Sequence, residues 1–243
     1  MDVINVAEIF GPTIQGEGPK AGIKTIFVRV VGCDFNCSWC DSKFAWKENE
    51  HSKKYTSAEL VGELYELCRK TNTSNVVLTG GNPCLYDFTQ VIIVLKAEGI
   101  SVDVETQGSK LPDWIKLCDT LVISPKAPSS NQPDVLDNIE NWLKENYFNL
   151  SSKLKIAIKI PIFNNEDFQF AKNYYERIIS KINLDIRLYL SVGNDDTEEA
   201  GNISNRILER YEQLIEQTMH SDLENVYVLP QLHTLVWGNR QGV

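Results

Sequence analysis

The sequence contains no long hydrophobic run and no repeated or low-complexity segment. Its longest purely apolar stretches, such as residues 91–95, are far shorter than the roughly 20 residues that a membrane-spanning helix needs. The first ten residues have neither a basic flank nor an apolar core, so they do not resemble a secretory signal peptide. We therefore expect a soluble, cytoplasmic protein without a membrane partner.

Basic residues are fewer than acidic ones. The chain has 24 Lys and Arg against 33 Asp and Glu, which gives a formal net charge of −9. Nucleic acids and anionic membranes bind positively charged surfaces, so this balance disfavours both as direct partners. A small anionic ligand held by one or two local cations remains compatible with it.

Short β-branched runs alternate with longer amphipathic segments, and 42% of the residues are hydrophobic. The predicted strands cover residues 25–31, 75–78, 101–104, 120–123, 154–160 and 185–190. The predicted helices cover residues 58–70, 87–98, 135–146, 165–180 and 202–217, and Thr56 with Glu59 forms a candidate capping box before the first of them. Such an alternation predicts an α/β fold with a mostly parallel sheet.

Polar, glycine-rich segments follow nearly every predicted strand, at residues 32–42, 79–83, 105–108, 124–126 and 191–195. The carboxyl ends of parallel strands are where barrel enzymes and open α/β sheets place their sites. The sequence therefore predicts one domain over residues 1–243. Its expected fold is an incomplete TIM-like barrel of about six parallel strands, with a site at this rim.

Six cysteines need an explanation other than disulfides in a reducing compartment. Cys33, Cys37 and Cys40 have C-x3-C-x2-C spacing, and three thiols within eight residues favour a metal centre over buried free thiols. A structural zinc site normally has four protein ligands, and no fourth one is nearby. An iron–sulfur cluster held by three cysteines would leave one iron open to a small molecule. Cys68, Cys84 and Cys118 lack ligand spacing, and we expect Cys68 and Cys118 in the core.

The cysteine spacing after the first strand, with Trp39 before the last cysteine, resembles the signature of radical S-adenosylmethionine enzymes. TGGNP resembles their glycine-rich segment, with Asn82 in place of the usual Glu. More narrowly, the chain resembles the 7-carboxy-7-deazaguanine synthase family. The segments that carry this resemblance are FGPTIQGEG (10–18), FVRVVGC (27–33), CSWCDS (37–42), TGGNP (79–83), ETQG (105–108), SPKAPSS (124–130), VGNDD (192–196) and PQLHTLVWGNRQGV (230–243).

The resemblance implies conversion of 6-carboxy-5,6,7,8-tetrahydropterin to 7-carboxy-7-deazaguanine. This would be a radical ring contraction assisted by Mg²⁺, with loss of ammonia, on the route to queuosine and other 7-deazapurines. It also implies a 4Fe–4S cluster, S-adenosylmethionine and Mg²⁺ as cofactors. Flavodoxin or ferredoxin would be the electron donor, and the chain would form a homodimer.

The resemblance also assigns roles to individual residues. The cluster ligands would be Cys33, Cys37 and Cys40, and the Mg²⁺ ligand would be Ser42. Contacts to S-adenosylmethionine are expected from Trp39, Cys40, Asp41, Gly81, Glu105, Ser124, Pro125, Lys126, Ser191, Val192, Gly193 and Asn194. Contacts to the substrate are expected from Ile14, Gln15, Gly16, Glu17, Arg29, Thr79, Gln231, His233 and Val243.

Several of these residues also have a purely structural interpretation. Arg29 interrupts an apolar strand, where it would either clamp a substrate carboxylate or form a buried ion pair with an internal acid. Ser42 would either bind Mg²⁺ or cap the turn that follows it. His233 lies between leucines, as a core histidine would.

Two alternative functions use the same cysteine loop. A radical-generating activase for a glycyl-radical enzyme would share C-x3-C-x2-C but lack IQGEG and HTLVWGN, both of which are present. A non-catalytic iron–sulfur or zinc protein would need a fourth ligand and would leave TGGNP, SPK and VGND without a role.

Overall fold

The computed structural model describes residues 3–146, 154–194, 196, 203–240 and 242. The strands are β1 (Ile4–Ile14), β2 (Lys24–Val30), β3 (Lys53–Tyr55), β4 (Asn75–Gly80), β5 (Ser101–Thr106), β6 (Thr120–Ile123), β7 (Lys155–Ile162), β8 (Ile186–Val192) and β9 (Tyr227–Leu229). The helices are α1 (Ser57–Thr71), α2 (Thr89–Ala97), α3 (Leu136–Asn146), α4 (Asn165–Tyr174), α5 (Ser204–Met219) and α6 (Leu232–Trp237). All six predicted strands are present, and each begins and ends within two residues of its prediction.

Within the described ranges, the strands form one sheet in the order β3-β1-β2-β4-β5-β6-β7-β8-β9. β2 and β4 to β9 run parallel, whereas β1 is antiparallel to both of its neighbours. The sheet ends at β3 on one side and β9 on the other and does not close. The expected incomplete barrel is confirmed, with a short seventh parallel strand, β9, beyond the six predicted.

A single large hydrophobic core joins the sheet to the helices packed on it. The strands β4 and β6 contribute nearly continuous buried apolar residues, as parallel strands covered on both faces do. Helix α1 buries Leu60, Leu64 and Cys68 and begins at the predicted capping box, in which Thr56 accepts from the Glu59 amide and Glu59 from the Thr56 amide. No helix in the described ranges has both the length and the apolar character that crossing a bilayer requires.

The sequence did not predict β1, β3, β9 or α6. β1 is partly exposed over its second half and contains Gly11 and Pro12, so it shows no continuous apolar run. β3 and β9 have three residues each and α6 has six, which is too short for a periodic signal. Helix α4 was expected to reach residue 180, but its α-helical part ends at Tyr174 and a π-helical turn, Tyr175–Ile179, continues it.

Candidate active site

A cavity of about 310 Å³ opens at the carboxyl ends of the parallel strands. Its walls bring together most of the predicted site residues, namely Ile14, Gln15, Gly16, Glu17, Arg29, Cys33, Cys37, Trp39, Cys40, Asp41, Ser42, Thr79, Gly81, Glu105, Ser124, Lys126, Gly193, Asn194, Gln231 and His233. Pro125, Ser191 and Val192 are buried beside the cavity and do not line it. Val243 lies outside the described residues.

The three cysteines of the loop after β2 all face this cavity, and none forms a disulfide. The backbone amide of Phe35 lies 3.4 Å from Cys33 Sγ, and that of Ser42 lies 3.4 Å from Cys40 Sγ. Such donors stabilise a metal-bound thiolate. Burial raises the pKa of all three thiols, that of Cys37 to about 11, so a metal is needed to ionise them near neutral pH.

The spacing of side chains suits a cluster better than a single ion. The described part of the chain holds no group of three His, Cys, Asp or Glu side chains placed to bind one metal ion. In an iron–sulfur cubane each thiolate binds a different iron, so the sulfurs need not converge on one point. Cys68, Cys84 and Cys118 are buried in the hydrophobic core, as expected for Cys68 and Cys118.

A polar network fastens the cysteine loop to the two neighbouring rim loops. Asp34 Oδ1 accepts from Asn82 Nδ2 at 2.9 Å and from Gln107 Nε2 at 2.7 Å. Asn82 is fully buried, and its own Oδ1 accepts from the Cys84 amide and the Thr106 hydroxyl. Asn82 therefore replaces the usual Glu of the motif with a side chain that can donate to Asp34. The sequence did not single out Gln107 or Asp34.

Asn82→Asp is expected to lower the free energy of unfolding by about 1–3 kcal/mol, because it replaces a buried donor with a second carboxylate. Burial raises the pKa of Asp34, but hydrogen bonds from Ser109 and Asn82 outweigh it and hold that pKa below its usual value. The hydrogen bonds to the ionised Asp34 carboxylate therefore stabilise the fold at neutral pH, and this contribution is lost as the pH falls through the lowered pKa. The stability difference between the variant and the wild type should therefore shrink only as the pH falls below about 4.

Urea unfolding of the variant and the wild type at pH 7.5 and at pH 3 tests this expectation. Asn183→Asp, the same change at an exposed position after α4, is the matched control. Equal stability of Asn82→Asp and the wild type at pH 7.5 would show that the network does not depend on a donor at this position.

An aromatic pair forms one wall of the cavity. The rings of Trp39 and Phe163 stack with centroids 4.7 Å apart, and Trp39 Nε1 donates to Ser129 Oγ at 3.0 Å. A Cβ atom at Gly193 would lie 2.4 Å from the Phe163 ring, so only glycine allows this stack. Lys126 Nζ lies 5.7 Å from the centroid of the Trp39 ring. A flat, apolar wall next to the cysteines is suited to a nucleoside base, and the sequence did not predict the part played by Phe163.

A buried ionic network forms another part of the wall. Lys159 Nζ lies 2.8 Å from Glu17 Oε2 and 3.6 Å from Glu105 Oε2. Gln15 Nε2 donates to Glu105 Oε1 at 2.8 Å, and Gln231 Nε2 donates to Glu17 Oε1 at 3.0 Å. Burial by itself raises the pKa of Glu17, but Lys159 and the other partners lower it to about 2, so Glu17 is ionised at neutral pH.

Lys159 is the most consequential residue that the sequence reasoning missed. It interrupts the apolar strand β7 just as Arg29 interrupts β2, and a charge inside a buried strand is costly unless it is paired. The same signal that singled out Arg29 was therefore present. Burial lowers the pKa of Lys159, but Glu105 and Glu17 outweigh that effect and raise it above its usual value.

Arg29 takes part in an ion pair while remaining on the cavity wall. Its Nε lies 2.7 Å from Glu8 Oε1, so an ion pair with an acid forms, but both side chains are partly exposed on the cavity wall and neither is internal. Its Nη1 donates to Ser42 Oγ at 2.8 Å, and Ser42 Oγ donates to Asp41 Oδ1 at 2.8 Å. Ser42 makes no side-chain cap to the turn after it, so its capping interpretation is wrong. Contact between Arg29 and a substrate carboxylate stays a prediction.

His233 fills a notch that Gly16 leaves open. A Cβ atom at Gly16 would lie 2.3 Å from His233 Nδ1, so a larger residue there would displace the imidazole. His233 is partly exposed and lines the cavity near Glu17. The placement differs from that of a core histidine and supports a role at the site.

Comparisons with known proteins agree with this geometry. The Radical SAM superfamily model matches residues 27–167, which is more than half of the chain and includes the cysteine loop. The chain is 42% identical over 249 residues to a 7-carboxy-7-deazaguanine synthase of Bacillus subtilis, covering 99% of this chain and 98% of that one. It is 38% identical to the synthase of Bacillus cereus, with all of both chains covered.

A solved structure supports the fold independently. The crystal structure of QueE from Escherichia coli superposes with a TM-score of 0.67, covering 95% of each chain at 21% identity. Together with the full-length sequence matches, which carry the synthase name, this shows that the chain belongs to the 7-carboxy-7-deazaguanine synthase family of radical S-adenosylmethionine enzymes.

Proposed function

We propose that this chain converts 6-carboxy-5,6,7,8-tetrahydropterin to 7-carboxy-7-deazaguanine with loss of ammonia, as a step toward queuosine or other 7-deazapurines. The observation that carries the proposal is one cavity that combines three free cysteines with an ionised, largely buried Glu17 and the Arg29 guanidinium. The three cysteines are suited to hold an iron–sulfur cluster, Glu17 to accept from the N–H groups of a ring, and Arg29 to bind a carboxylate.

The superfamily implies a 4Fe–4S cluster and S-adenosylmethionine as cofactors, and the donor set fits them. Cys33, Cys37 and Cys40 would hold the cluster, and the stack of Trp39 on Phe163 would receive the adenine. When bound, these cofactors would supply hydrogen-atom abstraction by a 5′-deoxyadenosyl radical. The residues of the chain orient the ring carbon next to that radical and keep water away from it.

The remaining assignments concern the substrate. Glu17 would accept hydrogen bonds from N–H groups of the pterin ring, since a carboxylate is an acceptor only. Arg29 would bind the substrate carboxylate, for which a guanidinium is well suited. Product and substrate differ by one molecule of ammonia, so the overall reaction needs no net oxidant or reductant.

Ammonia release tests this reaction against its main rival. An anaerobic incubation of the cluster-loaded protein with the pterin, S-adenosylmethionine, Mg²⁺ and a reductant should release one ammonia per substrate consumed, measured by a coupled glutamate dehydrogenase assay. Cleavage of S-adenosylmethionine without ammonia would overturn the proposed reaction and favour the activase alternative.

A further part of the proposal is that Ser42 binds Mg²⁺ together with oxygen atoms of the substrate. Ser42 is buried on the cavity wall beside the Asp41 carboxylate, and a hydroxyl oxygen keeps a second lone pair when Arg29 donates to the first. Mg²⁺ accepts few protein ligands when substrate and water complete its octahedron.

Ser42→Ala is expected to raise the Mg²⁺ concentration required for half-maximal activity by on the order of 10–100-fold. Mg²⁺ titrations of initial rate for the variant and the wild type measure this shift. Ser180→Ala, an exposed serine after α4, should leave the titration unchanged. An unaltered Mg²⁺ requirement in Ser42→Ala would contradict the assignment.

We also propose a cytoplasmic homodimer, with one domain over residues 1–243 and flavodoxin or ferredoxin as the electron donor. Membership in the family supports the dimer and the donor. The continuous sheet and the large shared core support the single domain.

A further inference from the structure

We infer that Lys159 determines substrate specificity by donating a hydrogen bond to the ring carbonyl of an aminopyrimidinone whose N–H groups bind Glu17. This inference rests on the proposed pterin substrate and extends it to the edge of the ring that the site recognises. It assigns a function to a residue that neither the cysteine loop nor the substrate motifs include.

The Lys159 ammonium group has hydrogen-bond donors that no described residue uses. Its side chain is 8% exposed, lines the cavity and makes one hydrogen bond among the described residues, to Glu17 Oε2 at 2.8 Å. Glu105 Oε2 lies 3.6 Å away, which is too far for a hydrogen bond. An ammonium group has three N–H donors, so two of them are available to a ligand in the cavity.

The Glu17 carboxylate has lone pairs that can accept further hydrogen bonds. Each carboxylate oxygen already accepts one hydrogen bond, Oε2 from Lys159 and Oε1 from Gln231. An ionised carboxylate has about four lone-pair sites, so two remain for neighbouring N–H groups of a ring. Lys159 and Gln231 hold the group from both sides, which fixes its orientation before a ligand arrives.

The pair matches the order of groups along an aminopyrimidinone edge. That edge presents a carbonyl acceptor, then a ring N–H donor, then an amino donor. Lys159 and Glu17, side by side on the wall, present a donor followed by two acceptors. A 2,4-diaminopyrimidine has an amino group in place of the carbonyl and a bare ring nitrogen in place of the ring N–H. It would therefore set a donor against the Lys159 donor and an acceptor against the Glu17 carboxylate. A site built on hydrogen bonds rejects such an analogue strongly because its own buried groups remain unpaired.

Fluorescence titration of the cluster-loaded protein with two ligands tests the inference. The ligands are pterin-6-carboxylate and 2,4-diaminopteridine-6-carboxylate, used with S-adenosylmethionine, without reductant, at pH 7, where the rings of both free ligands are neutral. We expect the wild type to bind the oxo ligand at least about 10-fold more tightly. Lys159→Met should reduce this preference to the part that the ring N–H and Glu17 provide, and Lys159→Arg should restore some of the loss.

Lys155→Met is the matched control, because Lys155 begins the same strand and is exposed. It should keep the wild-type preference. The wild-type comparison of two ligands and the charge-conserving Lys159→Arg give a result even if Lys159→Met, which leaves Glu17 and Glu105 without their cation, does not fold.

The outcomes separate this inference from the proposed function. Equal binding of both ligands by the wild type, or an unchanged preference in Lys159→Met, would overturn the role of Lys159 and leave the pterin substrate standing. Failure of the wild type to bind either ligand would overturn the proposed substrate itself.

Discussion

Cys37→Ala is expected to reduce iron from about four atoms per chain to a small residual amount and to reduce product formation to background. Cys37 is buried in the middle of the loop, and the loss of one of three thiolates leaves a cluster with only two protein ligands. Iron analysis and the visible absorption of anaerobically reconstituted protein measure the first effect, and a product assay measures the second.

Cys68→Ala is the matched control for this substitution. Cys68 is also buried, but it lies on α1 in the hydrophobic core, away from the cavity. Its removal should lower stability slightly through a small cavity and leave the iron content unchanged. A Cys37→Ala protein with full iron content and wild-type activity would contradict the assignment of the loop as the cluster site.

Gly81→Ala should have the second large effect, because its added Cβ atom would lie 1.9 Å from the carbonyl oxygen of Gly32. Backbone must move to relieve this overlap, and here it joins the loop after β4 to the start of the cysteine loop. The Asn82 amide donates to the same Gly32 oxygen at 2.8 Å, so the two loops are held in contact. We expect a loss of stability of about 3 kcal/mol. Affinity for S-adenosylmethionine should fall by on the order of 100-fold, since small displacements of a binding loop are costly.

Gly62→Ala provides the comparison. Gly62 is exposed within α1, and a Cβ atom there would have no neighbour within 4 Å. Alanine has the higher helix propensity, so this variant should be stabilised by about 0.5–1 kcal/mol. Equilibrium dialysis measures the affinity of both variants for S-adenosylmethionine, and thermal unfolding measures their stability. Wild-type affinity in Gly81→Ala would contradict the close approach of the two loops.

The fold was predictable where burial produces a strong local pattern. β4 to β8 have Val- and Ile-rich runs, and the glycine-rich segments after them correctly indicated the rim that carries the cavity. β1 was not predictable in the same way, because its hydrogen bonds to β2 and β3 stabilise a partly exposed segment that has no continuous apolar run.

The residues of the site likewise differ in whether the sequence alone could reveal them. Residues in short motifs were found in advance, since their spacing on a loop is visible in the sequence. The partners that orient them come from distant strands: Lys159 pairs with Glu17 across 142 positions, and Gln107 reaches Asp34 across 73. Such pairs form only when the folded sheet brings together β7 and the segments after β1, β2 and β5, although the strands of each pair are not neighbours in the strand order. Only the unusual charge of Lys159 in an apolar strand could have drawn attention to one of them.

The most direct test of the central claim is the amount of product formed relative to S-adenosylmethionine consumed. Cluster-loaded protein would be incubated anaerobically with 6-carboxy-5,6,7,8-tetrahydropterin, S-adenosylmethionine, Mg²⁺ and a reductant, and both pools would be followed by mass spectrometry. We predict that 7-carboxy-7-deazaguanine accumulates in excess of the S-adenosylmethionine consumed, because the proposed redox-neutral reaction would return the hydrogen atom and regenerate that cofactor. Consumption of S-adenosylmethionine with no deazaguanine formed would contradict the account.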